Sequence, residues 1–448
     1  MFNIEHCLLY YLKNQLYLQY QLFLMESLNL PYKIYFTSHN IFFLYNMKIE
    51  LPGLEKMDFD GKRVLLRVDF NVPIDKVNCT VTDNSRIVKT LPTIEYILKQ
   101  GGAIILVSHL GRPKNSNDTS CSMGPVADAL KELLSDVKIE YIPFTPVEGL
   151  MEKCKSLKSG EILVLDNIRY FEHETSEKKE ERTTFARKLA RLGDCFVNDA
   201  FGACHREHAT VFELAKELPS VAGFLLKKEI SILSGILTSP ARPFTAIIGG
   251  SKVSSKIKVL SHLINKVDNI LIGGGMAYTF LKGKGLHVGN SLIENELLSH
   301  SFQIIDKANF NETGFFIPED HIASTEFSEN GKIKGYGLEI PEGWMGMDIG
   351  PKTIKKYEKI IQDSKTILWN GPMGVFEMDK FAEGTMAIAR AISKNKGVTV
   401  IGGGDSLFAI KKAGVEDKIT HVSTGGGATL EFLEGKKLPG VVALTENN

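Results

Sequence analysis

Arginine is scarce in this 448-residue chain, with 11 among its 53 basic residues, and four of the eleven cluster in polar stretches near short apolar runs. Arg112 lies in SHLGRP (108–113), Arg169 in DNIRYFEHE (166–174), Arg206 in NDAFGACHREHAT (198–210), and Arg86 downstream of DFNVP (69–73). His109, His205 and His208 accompany them. The planar guanidinium fork matches carboxylate and phosphate oxygens better than the point charge of a lysine. Brought together, these residues would make a basin for a small, highly anionic metabolite. Kept apart, each arginine would pair with a nearby acid on the surface.

A second group of stretches is rich in glycine. Gly273–Gly275, Gly402–Gly404 and Gly425–Gly427 each follow an apolar run, and IIGGSKVSSKIKV (247–259) ends a further one in Gly249 and Gly250. Glycine allows backbone N–H groups to approach phosphate or a flat base, and helix N-termini add a favourable potential. Each triplet alone is also compatible with a plain tight turn. None fits G-x-G-x-x-G, and the Gly249 stretch lacks the glycine before lysine that a P-loop requires. Asp405 directly follows a triplet, where a carboxylate can hold Mg²⁺ against phosphate oxygens. A helix beginning near Lys252 would put Lys252 and Lys256 on one face, reaching for a polyphosphate or simply facing solvent.

Three other constellations carry less. Cys204 beside His205 is a poor nucleophile–base pair, because such partners are usually distant in sequence. HREH (205–208) lacks the H-E-x-x-H spacing of a zinc helix. FEHE (171–174) reads as the opening of a charged helix.

These loops must be positioned by the runs that precede them: Val64–Val68, Ala103–Val107, Ile162–Leu165, Cys195–Val197, Phe244–Ile248, Asn269–Ile272, Thr366–Trp369, Val398–Ile401 and Ile419–Val422. Continuous apolar runs alternating with amphipathic stretches, such as Pro125–Leu134, predict an α/β fold with mostly parallel, doubly covered sheets. Ligands of such sheets collect beyond the carboxyl ends of the strands. The Arg/His loops come first and the glycine loops second, which predicts two lobes. Their boundary falls in residues 218–237, a helix-like segment ended by Pro240 and Pro243.

Composition limits the partners. With 43% hydrophobic and 24% charged residues and a formal net charge of +0, the chain shows no basic excess for bulk nucleic acid or an anionic membrane. The six cysteines, Cys7, Cys79, Cys121, Cys154, Cys195 and Cys204, form no C-x-x-C pair and read as reduced thiols of a cytoplasmic protein. Residues 1–46 hold 12 of the 40 aromatics and no arginine, unlike a transit peptide. Lys13, Asn14, Gln15, Gln19 and Gln21 interrupt their apolar run. They read as upstream sequence before a true start at Met47, or as an unordered extension.

From about residue 47 to its end the chain resembles the phosphoglycerate kinase family. The resemblance runs through RVDFNVP, SHLGRP, VNDAFGACHREHAT, GGSKVSSKI, GGGMAYTFL, GWMGMDIGP, WNGPMGVFE, GGGDS and HVSTGGGATLEFLEGK, in that order. It implies an α/β protein of two Rossmann-like lobes, each a mostly parallel sheet flanked by helices. An N-terminal triose-phosphate lobe (47–226), a hinge helix (227–238) and a nucleotide lobe (239–432) would follow one another, with a tail (433–448) packing back on the first. The implied reaction moves a phosphoryl group between 1,3-bisphosphoglycerate and Mg-ADP, giving 3-phosphoglycerate and ATP, in a cytoplasmic monomer. By the same resemblance Asp69, Phe70, Asn71, Arg86, His109, Leu110, Gly111, Arg112, Arg169 and Arg206 would hold the triose. Gly250, Lys252, Lys256, Gly273, Gly274, Gly275, Asn370, Glu377, Gly403, Gly404, Asp405 and Ser406 would hold the nucleotide, Glu377 at the ribose and Asp405 on Mg²⁺. Arg86, Lys252, Gly426 and Gly427 would meet the transferring group. The departures are Asp166 in place of the usual Glu, Cys204 in place of a small residue, and Glu207 beside the anion basin. A Rossmann-type dehydrogenase and an inactive nucleotide-binding regulator are the alternatives from other classes.

Overall fold

A strand coincides with or overlaps each of the nine apolar runs, and the central strands are buried along their whole length, as apolar, β-branched sequence covered on both faces requires. The computed structural model describes residues 33–37, 40–44 and 49–446. In the first lobe β1 (Arg63–Arg67), β2 (Ala103–Val107), β3 (Ile139–Ile142), β4 (Ile162–Leu165), β5 (Cys195–Asn198) and β6 (Ser220–Ala222) form one sheet in the order β6-β5-β1-β2-β4-β3. In the second, β7 (Phe244–Ile248), β8 (Asn269–Ile272), β9 (Gly314–Phe316), β10 (Thr366–Asn370), β11 (Val398–Gly402) and β12 (His421–Val422) are ordered β9-β8-β7-β10-β11-β12. All ten pairings are parallel. A small antiparallel sheet of His321–Ser324, Ile333–Tyr336 and Met345–Ile349 sits within the second lobe.

Within the two parallel sheets three strands, β3, β6 and β9, were not expected, and all three are sheet edges. They are short, and β3 and β9 are half-exposed, so they lack the continuous apolarity of a central strand. Within the segment read as an extension, Lys33–Thr37 and Asn40–Leu44 pair as antiparallel strands, and the rest of residues 1–46 lies outside the described residues.

The lobes are joined by a helix spanning Phe224–Thr238, three residues earlier than expected because Gly223 already serves as its N-cap. Thr93 accepts the Phe224 N–H (3.0 Å) and Asp199 accepts that of Leu226 (2.9 Å), fastening the start of this helix to the first lobe. The C-terminal helix Pro439–Glu446 returns to that lobe, where the Gly440 N–H donates to the Cys204 carbonyl (2.9 Å).

The order of the second sheet reverses direction between β7 and β10, leaving a crevice at their carboxyl ends. There the backbones of the two following loops touch. Gly371 has φ of +94°, and a Cβ on it would stand 2.2 Å from the Gly249 carbonyl oxygen. Gly371→Ala is therefore expected to destabilise the fold by about 2–4 kcal/mol, combining a left-handed backbone with an overlap that no side chain can relieve. Gly404→Ala, where a Cβ meets open space, should stay within about 0.5 kcal/mol. Urea denaturation of the two variants checks both values.

Candidate active site

The N-terminal loops enclose a cavity of ≈ 350 Å³. Asp69 and Asn71 reach it from the end of β1, His109, Gly111 and Arg112 from β2, Arg169 from β4, and His205, Arg206 and His208 from β5. Arg86 enters from the first turn of the helix Ser85–Lys99, and Gly425, Gly426 and Gly427 close the cavity from the second lobe. Four of the expected arginines are thus brought together with Asp69, Asn71, His109 and Gly111. Two expected residues are not: the side chains of Phe70 and Leu110 turn into the apolar core of the first lobe. Their backbones position the loops instead. The Phe70 N–H donates to Ser108 Oγ (2.9 Å), and the Leu110 carbonyl accepts from Asn167 Nδ2 (2.6 Å).

Beneath the basin lies a polar layer. Arg67, fully buried at the end of β1, donates from Nε to Thr210 Oγ1 (2.9 Å) and lies 3.3 Å from His109 Nδ1. Glu174, also buried, accepts from Thr210 Oγ1 (2.6 Å) and the Thr210 N–H (3.0 Å). FEHE is thus a short 3₁₀ turn over Glu172–Glu174, and the charged helix begins only at Lys179. Glu207 points away from the cavity to Arg182 (3.0 Å), which also pairs with Glu213. Cys204 is buried, and burial raises its thiol pKa far above the ordinary value, so it stays protonated. Asp166 takes the N–H groups of Met123 (2.8 Å) and Phe144 (3.1 Å), a structural task.

The charge of the basin belongs to its arginines. Burial, followed by the field of Arg67 and Arg169, lowers His109 well below its ordinary pKa and His208 to about 3; burial and Arg206 lower His205. All three imidazoles are neutral at pH 7 and can donate or accept hydrogen bonds without adding charge.

In the second lobe the candidate residues gather around the β7–β10 crevice. Asn370, the last residue of β10, donates from Nδ2 to the Gly402 carbonyl (2.8 Å) and accepts from Lys256 Nζ. Ser406 Oγ accepts the Gly371 N–H (2.6 Å). Gly404 and the exposed Asp405 open the helix Gly404–Lys412, where first-turn N–H groups have no carbonyl partner within the helix. Gly403 precedes them with φ of +93°.

The N–H groups of Gly250, Gly273 and Gly274 are taken by the carbonyls of Pro372 (3.1 Å), Ile248 (3.1 Å) and Met373 (2.7 Å). These glycines offer a bare backbone surface and close loop packing, not free donors. Gly275 packs against Ser251. Lys252 and Lys256 do not share a helix face, because the helix starts at Ile257. Val253 is drawn into the core, and Glu294 takes the N–H and hydroxyl of Ser254 (3.0 and 2.6 Å), holding residues 251–256 in a turn. Lys252 is left exposed while Lys256 is buried, with its pKa lowered by burial and partly restored by Asp405. Glu377 is exposed, apart from this cluster's hydrogen bonds.

The two halves meet at Thr424. Its carbonyl accepts from Arg86 Nη2 (3.1 Å), while Arg86 Nη1 pairs with Asp69 (2.9 Å). Its N–H and hydroxyl donate to Glu229 of the connecting helix (2.7 and 2.8 Å), which also pairs with His421 (2.8 Å). Sequence reasoning missed Glu229 and Arg67. The signal was available: each is a charged residue inside an otherwise buried apolar stripe.

A model of the family described as "Phosphoglycerate kinase" matches residues 54–436. A relative from Leptospira biflexa called "Phosphoglycerate kinase" is 54% identical over 397 residues, 88% of this chain and 98% of its own length. One of the same name from Borrelia hermsii is 48% identical over 399 residues, 88% of this chain and 100% of its own. The solved structure of phosphoglycerate kinase from Coxiella burnetii superposes with a TM-score of 0.79 at 36% identity, covering 89% of this chain and 99% of that one.

Two outcomes follow from the buried groups. Glu229→Ala strips His421 and Thr424 of their partner and should cost roughly 3–5 kcal/mol in urea unfolding. The basin histidines have folded pKa values below the unfolded value of about 6.5, so their contribution is complete above that pH and is lost as pH falls. His321, lowered to about 4 by burial in the second lobe, acts in the same sense. Unfolding free energy should therefore decline between about pH 6.5 and 5, before most carboxylates titrate, and less steeply in His208→Gln.

Proposed function

This chain belongs to the phosphoglycerate kinase family and catalyses reversible phosphoryl transfer between 1,3-bisphosphoglycerate and ADP, giving 3-phosphoglycerate and ATP in glycolysis; from that premise we propose which of its residues carry the reaction. The observation that supports the reading best is one cavity lined by the N-terminal arginines and by Gly425–Gly427 of the other lobe, with Arg86 spanning from Asp69 to Thr424.

In our reading Asp69, Asn71, His109, Gly111, Arg112, Arg169 and Arg206 hold the triose phosphate. Phe70 and Leu110 serve it through the backbone geometry of their loops. Lys256, Asn370, Ser406, Gly250, Gly273–Gly275, Gly403 and Gly404 shape the nucleotide slot, and Glu377 receives the ribose hydroxyls. An exposed carboxylate at the start of a helix, beside Lys256, suits a hard cation that takes its other ligands from phosphate oxygens and water. Asp405 would hold Mg²⁺ there, and the ion, when bound, neutralises phosphate charge. Among the described residues no cluster of three or more acidic, His or Cys groups forms a cage.

Neither direction of transfer needs a general base, because both the carboxylate of 3-phosphoglycerate and the terminal oxygen of ADP are ionised at neutral pH. The work is positioning and stabilisation of the charge on the moving group. Arg86 supplies a fixed fork from the triose side, and Lys252, exposed and unburdened by packing, swings in from the nucleotide side. The N–H groups of Gly426 and Gly427, at the start of the helix Gly426–Leu433, complete the cradle. Approach of the lobes about the helix Phe224–Thr238 brings these groups together and excludes water from the acyl phosphate. The enzyme works as a cytoplasmic monomer with small-molecule partners only, neither nucleic acid nor membrane. No helix of the described residues is long and apolar enough to cross a membrane.

Arg86→Ala and Lys252→Ala should each lower turnover by roughly 10²–10³-fold with an unchanged unfolding midpoint. A coupled ATP assay with 3-phosphoglycerate measures this, and turnover within a few-fold of the parent in either variant would remove that residue from the mechanism. The same assay on a chain beginning at Met47 is expected to match the full-length protein, since residues 1–46 contribute no proposed contact.

A further inference from the structure

Lys411 and Lys412 end the helix that Asp405 begins, yet they point to different places. Lys412 stays within its own lobe, on Asp379 (2.7 Å) and the Phe376 carbonyl (3.1 Å). Lys411 leaves it: Nζ lies 2.5 Å from Asp83 Oδ2 and 3.3 Å from Ser85 Oγ, both in the first lobe. Asp83 also accepts the Ser85 N–H (2.9 Å), so its carboxylate is fixed at the start of the helix Ser85–Lys99. Setting aside the connecting helix and the C-terminal tail, this is the one carboxylate–ammonium pair among the described residues that joins the lobes.

The positions of the two ends give the pair its meaning. Arg86 is three residues beyond Asp83, and one turn further Lys89 Nζ donates to the Val422 carbonyl (3.1 Å). At the other end, Lys411 follows Asp405 by six residues, about 9 Å along the same rigid helix. We propose that the Lys411–Asp83 pair is an electrostatic strut between the nucleotide-bearing helix and the arginine-bearing helix, making Lys411 a positioning residue for phosphoryl transfer. The strut holds the N-terminal turn that carries Arg86 against the second lobe, so that the guanidinium faces the nucleotide side of the cavity. Hydrogen bonds to Ser85 orient it, and added salt weakens it because both side chains are partly exposed. Lys411 touches no proposed ligand contact; its effect passes through Asp83. The inference rests on the reading of Arg86 and Asp405 given above.

The test uses Lys411→Met, Asp83→Asn, the double variant and Lys411→Arg in the full chain. Loss of the pair is expected to lower kcat about threefold to fivefold, the upper range for an exposed ion pair. ADP affinity by calorimetry should change less than twofold. The double variant should be no slower than either single one, and Lys411→Arg should recover most of the loss. Small-angle X-ray scattering should give a larger radius of gyration for Lys411→Met than for the parent at about 50 mM salt, a difference that closes near 500 mM. Equal radii and equal turnover in the parent and Lys411→Met overturn the strut. Effects that multiply in the double variant, or ADP affinity that falls as far as kcat, overturn it as well. The scattering measurement needs no turnover, so a failed strut and a failed assignment of Arg86 give separate results.

Discussion

Glu229 is fully buried in the connecting helix, and a carboxylate without water must find its hydrogen bonds within the protein. It finds them in His421, the Thr424 N–H and the Thr424 hydroxyl. Burial alone would raise its pKa, but these partners hold it below the ordinary carboxylate value. Removing any partner would leave a buried charge unmatched, so the end of β12 has little freedom to move away from the helix. That one constraint directs the Thr424 carbonyl at Arg86 and starts the helix Gly426–Leu433 against Phe201 and His205. The shared wall of the cavity therefore depends on a residue that never meets the substrate.

The basin divides labour between its two kinds of nitrogen. Guanidinium groups carry charge that does not titrate near neutrality, whereas the imidazoles of His109, His205 and His208 are kept neutral by burial and by those same cations. A site built this way attracts a multiply charged anion strongly while keeping its own charge nearly constant through the physiological pH range. Arg67 and Glu174 beneath it compensate each other through Thr210, so the positive face is directed into the cavity and not into the core.

The central strands were legible because continuous Val, Ile and Leu runs have no other use in a chain of this length. The edges β3, β6 and β9 were not: β3 and β9 are half solvated and read like loops, and β6, though buried, is only three residues long. Arg112, Arg169 and Arg206 could be read into one site from their places after successive strands, with Arg86 near them. A shared helix face for Lys252 and Lys256 required a helix starting near Lys252, and spacing alone does not reveal that Glu294, some forty residues on, pins the intervening serine and delays the helix to Ile257. Phe70 and Leu110 were named through their neighbours, and only the packing shows that their side chains face the core. Glu229 stands at helical spacing with Leu226, Ile230 and Leu233, a signal that was passed over; what the carboxylate binds is shown only by the strand end that covers it.

The return of the C-terminal helix has a consequence for how the chain is made. Residues 204–217 of the first lobe are covered by Pro439–Glu446, so that lobe is assembled from two stretches separated by the whole of the second. A chain emerging from the ribosome exposes Val211 and its neighbours until the last helix appears, more than two hundred residues later. Contacts of such long separation form late and slowly. During synthesis both sheets can form before this cover exists, and the face of the first lobe around residues 204–217 stays open until Pro439–Glu446 has been made.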